Sequence, residues 1–129
     1  MLTTGVDIIE IKRIENSITR FGDKMRNRIF TKQEQAYCAS RITSLAGRYA
    51  IKEAVSKALG TGIGDVNWTD IEVINNERGK PELKLHNRAQ KLAEQLGITQ
   101  WSISISHTNT HAIGFVVGLS LPSEDEDKL

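Results

Sequence analysis

The run from Arg48 to Gly64, RYAIKEAVSKALGTGIG, constrains this chain more than any other stretch. Ile51, Ala54, Val55, Ala58 and Leu59 recur at i, i+3, i+4, i+7 and i+8, the spacing of one buried helical face. On another face Glu53 and Lys57 stand one turn apart, with Lys52 beside them. Gly60 ends the helix, because glycine adopts the left-handed C-terminal conformation without a Cβ penalty. Gly62 and Gly64 then leave backbone that a ligand can approach closely. Taken alone, the segment is either a core helix with a solvated ion pair or a helix that delivers charge to a ligand loop. The rest of the chain decides.

Upstream, Thr3 to Ile9 reads as a strand, with Val6 and Ile8 on one side and Asp7 on the other. An acid inside an apolar strand is costly to bury unless it is paired or bound to metal. Asp7 is therefore either at an exposed edge or functional. From Ile11 to Phe21 the period becomes helical, with Ile11, Ile14, Ile18 and Phe21 inward. Arg13, Ser17, Arg20 and Lys24 form a second stripe at i, i+4, i+7 and i+11, and Arg26 and Arg28 follow. Such a basic face is solvated, or it docks an acidic protein or nucleic acid. The scarcity of interleaved aromatic residues argues against a single-stranded nucleic acid.

Thr31-Lys-Gln-Glu34 has the spacing of a capping box and opens a short helix over about 32–40. The main helix is expected from about Ser44 to Leu59. Strands at Ile71–Ile74 and Pro81–Leu85 flank a turn containing Gly79. Asn87 to Leu96 is helical and stops at Gly97. Two strands follow, Trp101–His107 and His111–Leu119, joined at Thr108–Thr110. Ser102, Ser104 and Ser106 share one face of the first, and Ser106, His107 and Thr108 sit at its end, where side chains can reach a ligand. The pattern predicts an α+β fold in which an antiparallel sheet packs with helices. One domain is expected over 1–121. The acidic stretch 122–129 is expected to be a disordered tail.

The chain has 129 residues, 39% of them hydrophobic, with a mean hydropathy of −0.33, which is enough for a core in a water-soluble domain. No apolar run approaches the roughly 18 residues a membrane span needs. One cysteine, Cys38, excludes an internal disulfide, and without histidine pairs at ligand spacing a zinc site is not expected. His86 and His111 stand in no such context. The first residues lack the pattern of a secretory leader, so a cytoplasmic location is expected. Charge is uneven: residues 1–57 carry 11 Lys/Arg against 6 Asp/Glu, and residues 58–129 carry 6 against 10. The basic first half favours an anionic partner or substrate.

Gly5-Val-Asp-Ile-Ile-Glu10, Gly47-Arg-Tyr-Ala-Ile-Lys-Glu-Ala-Val-Ser-Lys-Ala-Leu-Gly-Thr-Gly62 and Ser104-Ile-Ser-His-Thr108 together resemble the motifs of the holo-[acyl-carrier-protein] synthases. These are the small, trimeric branch of the 4′-phosphopantetheinyl transferases. The resemblance spans roughly residues 1 to 120 in the family's order and spacing, and the middle motif is the most specific. There are two departures: Tyr49 stands where phenylalanine is expected, and the tail after Pro122 is additional.

The resemblance implies transfer of 4′-phosphopantetheine from coenzyme A to a serine of apo acyl carrier protein, in fatty acid biosynthesis, with release of adenosine 3′,5′-bisphosphate. It implies Mg²⁺ held by Asp7 and Glu53, since a hard cation with oxygen ligands neutralises a pyrophosphate; Mn²⁺ has the same preference. It gives Lys57 the leaving phosphate, and Arg48 and Lys52 the other phosphates of coenzyme A. The backbone of Gly60, Thr61 and Gly62 lies against the ligand. The base for the serine is Glu53 or a metal-bound water. Ser106, His107 and Thr108 resemble nucleotide-phosphate contacts supplied by the neighbouring subunit of a homotrimer. Arg13, Arg20 and Lys24 then dock the acidic carrier protein. The competing expectation, a non-catalytic basic module for an acidic protein or nucleic acid, explains the charge but not Asp7, Glu53 or the glycine loop.

Overall fold

A computed structural model of the chain describes residues 1–121; the expected acidic tail, 122–129, lies outside the described residues. Strand β1 (Leu2–Glu10) leads into helix α1 (Ile11–Phe21), followed by α2 (Asp23–Ile29), α3 (Lys32–Cys38) and the long α4 (Ile42–Ala58). A 3₁₀ turn (Trp68–Asp70) precedes β2 (Ile71–Asn75) and β3 (Pro81–Leu85), then α5 (Asn87–Gln95), β4 (Gln100–His107) and β5 (His111–Leu119). The strands form two antiparallel sheets where one was expected: β1-β5-β4 and the hairpin β2-β3. The mixed α+β architecture is as the periodicities predict.

Helix α4 is the centre of the molecule. From Leu45 to Leu59 every residue is buried except Tyr49, Glu53 and Lys57, which recur at intervals of four. Residues four apart on a helix stand one above the other, so these three form one stripe. The rest of the helix is wrapped by the sheet on one side and by α1, α3 and β2 on others. Ile51, Ala54, Val55, Ala58 and Leu59 enter the largest core cluster, as the sequence stripe requires.

The helix lies directly on the sheet because two strand residues lack side chains. A Cβ at Gly5 of β1 would run into the Ala54 carbonyl oxygen. One at Gly114 of β5 would stand 2.6 Å from the Ala50 carbonyl carbon and the Ile51 nitrogen. This close backbone approach brings Asp7, two residues after Gly5 and opposite Gly114, up to the exposed stripe of α4.

The two faces of β1 are assigned the other way round from a simple apolar-inside reading. Val6 and Ile8 point outward, 55% and 60% exposed, while Gly5 and Asp7 face the helix. The predicted basic stripe is also divided. Gly22, with φ +59°, ends α1, so Lys24 belongs to α2 and not to the helix of Arg13 and Arg20. The capping box at Thr31 forms as expected: its hydroxyl accepts from the Glu34 N–H at 3.1 Å, and Glu34 accepts from the Thr31 N–H at 2.9 Å.

Candidate active site

Beside the exposed stripe of α4 is a cavity of about 400 Å³ between β1, α1 and α4. Asp7, Arg13, Tyr49, Glu53 and Lys57 line it, with Ile9, Ile14 and Ser17 closing its walls. Five chemically useful side chains from three elements thus meet at one place. Tyr49 stacks on Trp68, ring centroids 4.8 Å apart and planes inclined by 28°, which fixes the wall at one end.

Lys57 does not make the expected pair with Glu53. Its ammonium donates to Asp7 Oδ1 at 3.0 Å and to the Val6 carbonyl at 3.1 Å. Partial burial raises the Glu53 carboxyl above the usual carboxylate range; the charge of Asp7 adds to this, and Lys57 opposes it. The Tyr49 phenol is raised too, first by burial and then by Glu53 and Asp7, with Arg13 acting against them. The site therefore holds two carboxylates on the wall of one cavity, with an ammonium hydrogen-bonded to Asp7 and a guanidinium on the same wall.

These donors suit a hard cation. They are all-oxygen, and the strain of two like charges at one place is relieved by positive charge. Among the described residues no group of three or more Asp, Glu, His or Cys gathers around a metal position. Two protein carboxylates match the way Mg²⁺ is held, with substrate phosphate and water oxygens completing the set.

Several residues expected at the site lie elsewhere. Lys52 is fully buried and faces away from the cavity: its ammonium donates to Glu34 Oε1 at 2.8 Å, to the Trp68 carbonyl at 3.0 Å and to the Ile71 carbonyl. Burial lowers its pKa and the Glu34 charge offsets this, so Lys52 is a buried strut and has no donor left for coenzyme A. Arg48 is also buried, lies over the Tyr37 ring and donates to Asn75 Oδ1, outside the cavity.

After α4 the loop turns at Gly60 (φ +79°) and Gly62 (φ +72°), and the Thr61 and Gly62 amides both donate to the Ser56 carbonyl at 3.2 Å. The space beside both glycines is open. Ser106, His107 and Thr108 are exposed at the far edge of the sheet and do not line the cavity. Thr108 Oγ1 accepts from the Thr110 and His111 amides at 3.2 and 3.0 Å, which shapes the turn between β4 and β5.

A second depression of about 450 Å³ adjoins the cavity and shares Ile14, Ser17 and Tyr49 with it. Phe21, Met25, Ile29 and Trp68 make it apolar, and Lys24 and Arg28 stand at its rim. Sequence reading did not find this groove. Its walls come from α1, α2, α4 and the 3₁₀ turn, and no local period joins them.

Residues 3–116 match the model of the 4′-phosphopantetheinyl transferase superfamily. A holo-[acyl-carrier-protein] synthase of Herpetosiphon aurantiacus is 46% identical over 92% of this chain and 99% of its own length. One from Moorella thermoacetica is 45% identical over 97% of this chain and 99% of its own. Among solved structures, the Helicobacter pylori holo-[acyl-carrier-protein] synthase in complex with coenzyme A superposes with a TM-score of 0.83 at 35% identity, covering 90% of this chain and 99% of that one. With its glycine-seated helix α4 and the residues it presents to the cavity, this chain belongs to the holo-[acyl-carrier-protein] synthases of the 4′-phosphopantetheinyl transferase superfamily.

Proposed function

We infer that this protein transfers the 4′-phosphopantetheine of coenzyme A to a serine of apo acyl carrier protein and releases adenosine 3′,5′-bisphosphate. The observation that carries the site assignment is the meeting of Asp7, Glu53 and Lys57 in one cavity of a chain of this family. The serine oxygen attacks the phosphorus that bears the pantetheine arm. Its bond to the bridging oxygen breaks, and the nucleotide leaves with the electron pair. Asp7 and Glu53 would hold Mg²⁺, which supplies charge neutralisation at the pyrophosphate. Glu53, whose carboxyl burial raises above the usual carboxylate range, would take the serine proton. Lys57, on a flexible stem and 53% exposed at its side chain, swings from Asp7 to the leaving phosphate.

Two features support a homotrimer with sites at its interfaces. Leu2, Val6, Ile8 and Phe115 leave an apolar outer sheet face, each more than 40% exposed. Ser106, His107 and Thr108 end a strand on the edge opposite β1, so a neighbouring copy is the natural place for them to meet coenzyme A. The free, buried Cys38 fits a cytoplasmic location, and no helix among the described residues is long and apolar enough to cross a membrane. Arg13, at the cavity mouth, and Arg20 and Lys24 beyond it suit an acidic carrier protein of fatty acid biosynthesis, and no nucleic acid is required to explain them. The direct test is to incubate the protein with apo carrier protein, coenzyme A and Mg²⁺ and weigh the carrier. A gain of one phosphopantetheine, lost in EDTA, is expected; an unchanged mass would refute the reading.

A further inference from the structure

Tyr49 is the one member of the exposed α4 stripe to which the reaction above gives no task, and it stands where the family resemblance leads one to expect phenylalanine. It occupies a threshold. With Ile14 and Ser17 it is common to the cavity of Asp7, Glu53 and Lys57 and to the apolar groove beside α1 and α2. The groove side carries Lys24 and Arg28, further positive charge on the side of Arg13 and Arg20, so a serine carried by an acidic partner docked there would approach the cavity past Tyr49. The Tyr49 ring is held by its stack on Trp68, which limits where the hydroxyl can go. That hydroxyl has no hydrogen-bond partner among the described residues. It is not one of the buried unpartnered atoms either, so it is open to the space that Tyr49 lines between the cavity and the groove. The cavity wall that Tyr49 forms is shared with Glu53, Asp7 and Arg13.

We propose that the Tyr49 hydroxyl is a catalytic contact to the carrier-protein serine, holding its oxygen between the docking groove and Glu53. The phenol donates to one lone pair of the serine oxygen. The serine O–H is then directed to Glu53, one helical turn along the stripe, and the other lone pair is free to attack. No proton leaves the tyrosine, so the balance of the transfer is unchanged. This rests on the transferase reading given above.

The test is Tyr49→Phe, which keeps the ring and its stack and removes only the oxygen. A neutral hydrogen bond of ordinary strength corresponds to a fall in kcat of about 2- to 10-fold. KM for coenzyme A and the melting temperature are expected to stay as in the parent. The decisive readout is a cycle of binding measurements without coenzyme A, pairing parent and Tyr49→Phe enzyme with apo carrier protein and its Ser→Ala variant. Each change alone is expected to weaken binding by a few-fold, and the two together no more than either. Independent, multiplying losses, an unchanged kcat, or a rise confined to KM for coenzyme A would each overturn the serine contact. Failure of the parent enzyme to load any carrier would instead remove the transferase reading, so the two failures are told apart.

Discussion

Lys57 Nζ lies 3.0 Å from Asp7 Oδ1, so the lysine of the helix pairs with the acid of the strand across the cavity and not with Glu53 one turn before it. In this arrangement Lys57 stands in for a cation at one of the two carboxylates. A pyrophosphate entering the cavity competes for Lys57 and uncovers Asp7. Cation binding is therefore expected to be weak in the protein alone and stronger with coenzyme A present. A Mn²⁺ titration followed by electron paramagnetic resonance checks this; equal affinity with and without coenzyme A contradicts it.

Glu53→Gln keeps the shape of the side chain and removes both the charge and the base proposed for it. A loss in kcat of about 10²-fold or more is expected, with little change in KM for the carrier protein. Lys52→Gln separates the two neighbouring positions. It leaves Glu34 buried without its ammonium, so it is expected to lower stability by about 3–5 kcal/mol in urea unfolding. KM for coenzyme A should not change in whatever fraction folds, because Lys52 is turned from the cavity.

The contrast between Lys52 and Lys57 shows where sequence reading stops. The apolar period at Ile51, Ala54, Val55, Ala58 and Leu59 fixes which side of α4 meets the main core, and the structure agrees. It does not say what covers the flanks. Lys52 and Glu53 are adjacent, about 100° apart around the helix, and Glu34 from the capped helix α3, with the Trp68 and Ile71 carbonyls, holds Lys52 inward. Long-range pairs of this kind leave no local period. The same holds for β1, where alternation separates Val6 and Ile8 from Asp7 but does not tell which side faces α4. Gly5 carries that information, because a side chain there would collide with α4. Gly22, too, was a visible sign that the basic stripe spans two helices.

Glu53 should titrate above 4.5, the ordinary carboxylate value, and the sign of its response to neighbours follows from their charges. Asp7→Asn removes a repelling negative charge and is expected to bring the Glu53 value down. Lys57→Gln removes an attracting positive charge and is expected to push it up. Carboxyl ¹³C chemical shifts against pH in the protein without coenzyme A read both directions. Because the folded state holds this proton to higher pH than the unfolded chain, ionising Glu53 removes stability as pH rises from about 4.5 through its folded-state value. Glu53→Gln is therefore expected to flatten the pH dependence of the melting temperature in that window.

Arg13 lines the cavity, and in the docking proposed for it an exposed charge would act more than packing, so its effect should be screened. Arg13→Ala is expected to raise KM for the carrier protein about 3- to 5-fold at low salt, as loss of an exposed charge contact of up to about 1 kcal/mol implies. Near 1 M salt, where the screening length is roughly 3 Å, the parent and variant should converge. Steady-state kinetics at two ionic strengths decide it, and a gap that persists at high salt points to packing instead.

The outer face of the β1-β5-β4 sheet provides the last test. His107 pairs with Ala112, and Ala112 stands opposite Ile9 of β1, so the end of β4 is two strand spacings, roughly 9–10 Å, from the strand that carries Asp7. Within one chain Ser106, His107 and Thr108 therefore stand apart from the cavity, and a second copy is needed if they serve it. Val6, 55% exposed between Thr4 and Ile8 on the same face, is the residue through which copies would pack. Val6→Glu places a charge there without touching Gly5 or Asp7, and it is expected to convert a trimer into a folded monomer on gel filtration. That monomer should bind coenzyme A poorly and load little carrier protein. Mixing Glu53→Gln subunits, which keep an intact β4 end, with His107→Ala subunits, which keep an intact cavity, tests whether sites are shared, because a mixed trimer sets one against the other. An active Val6→Glu monomer would place the whole site within one chain and remove the role given to His107.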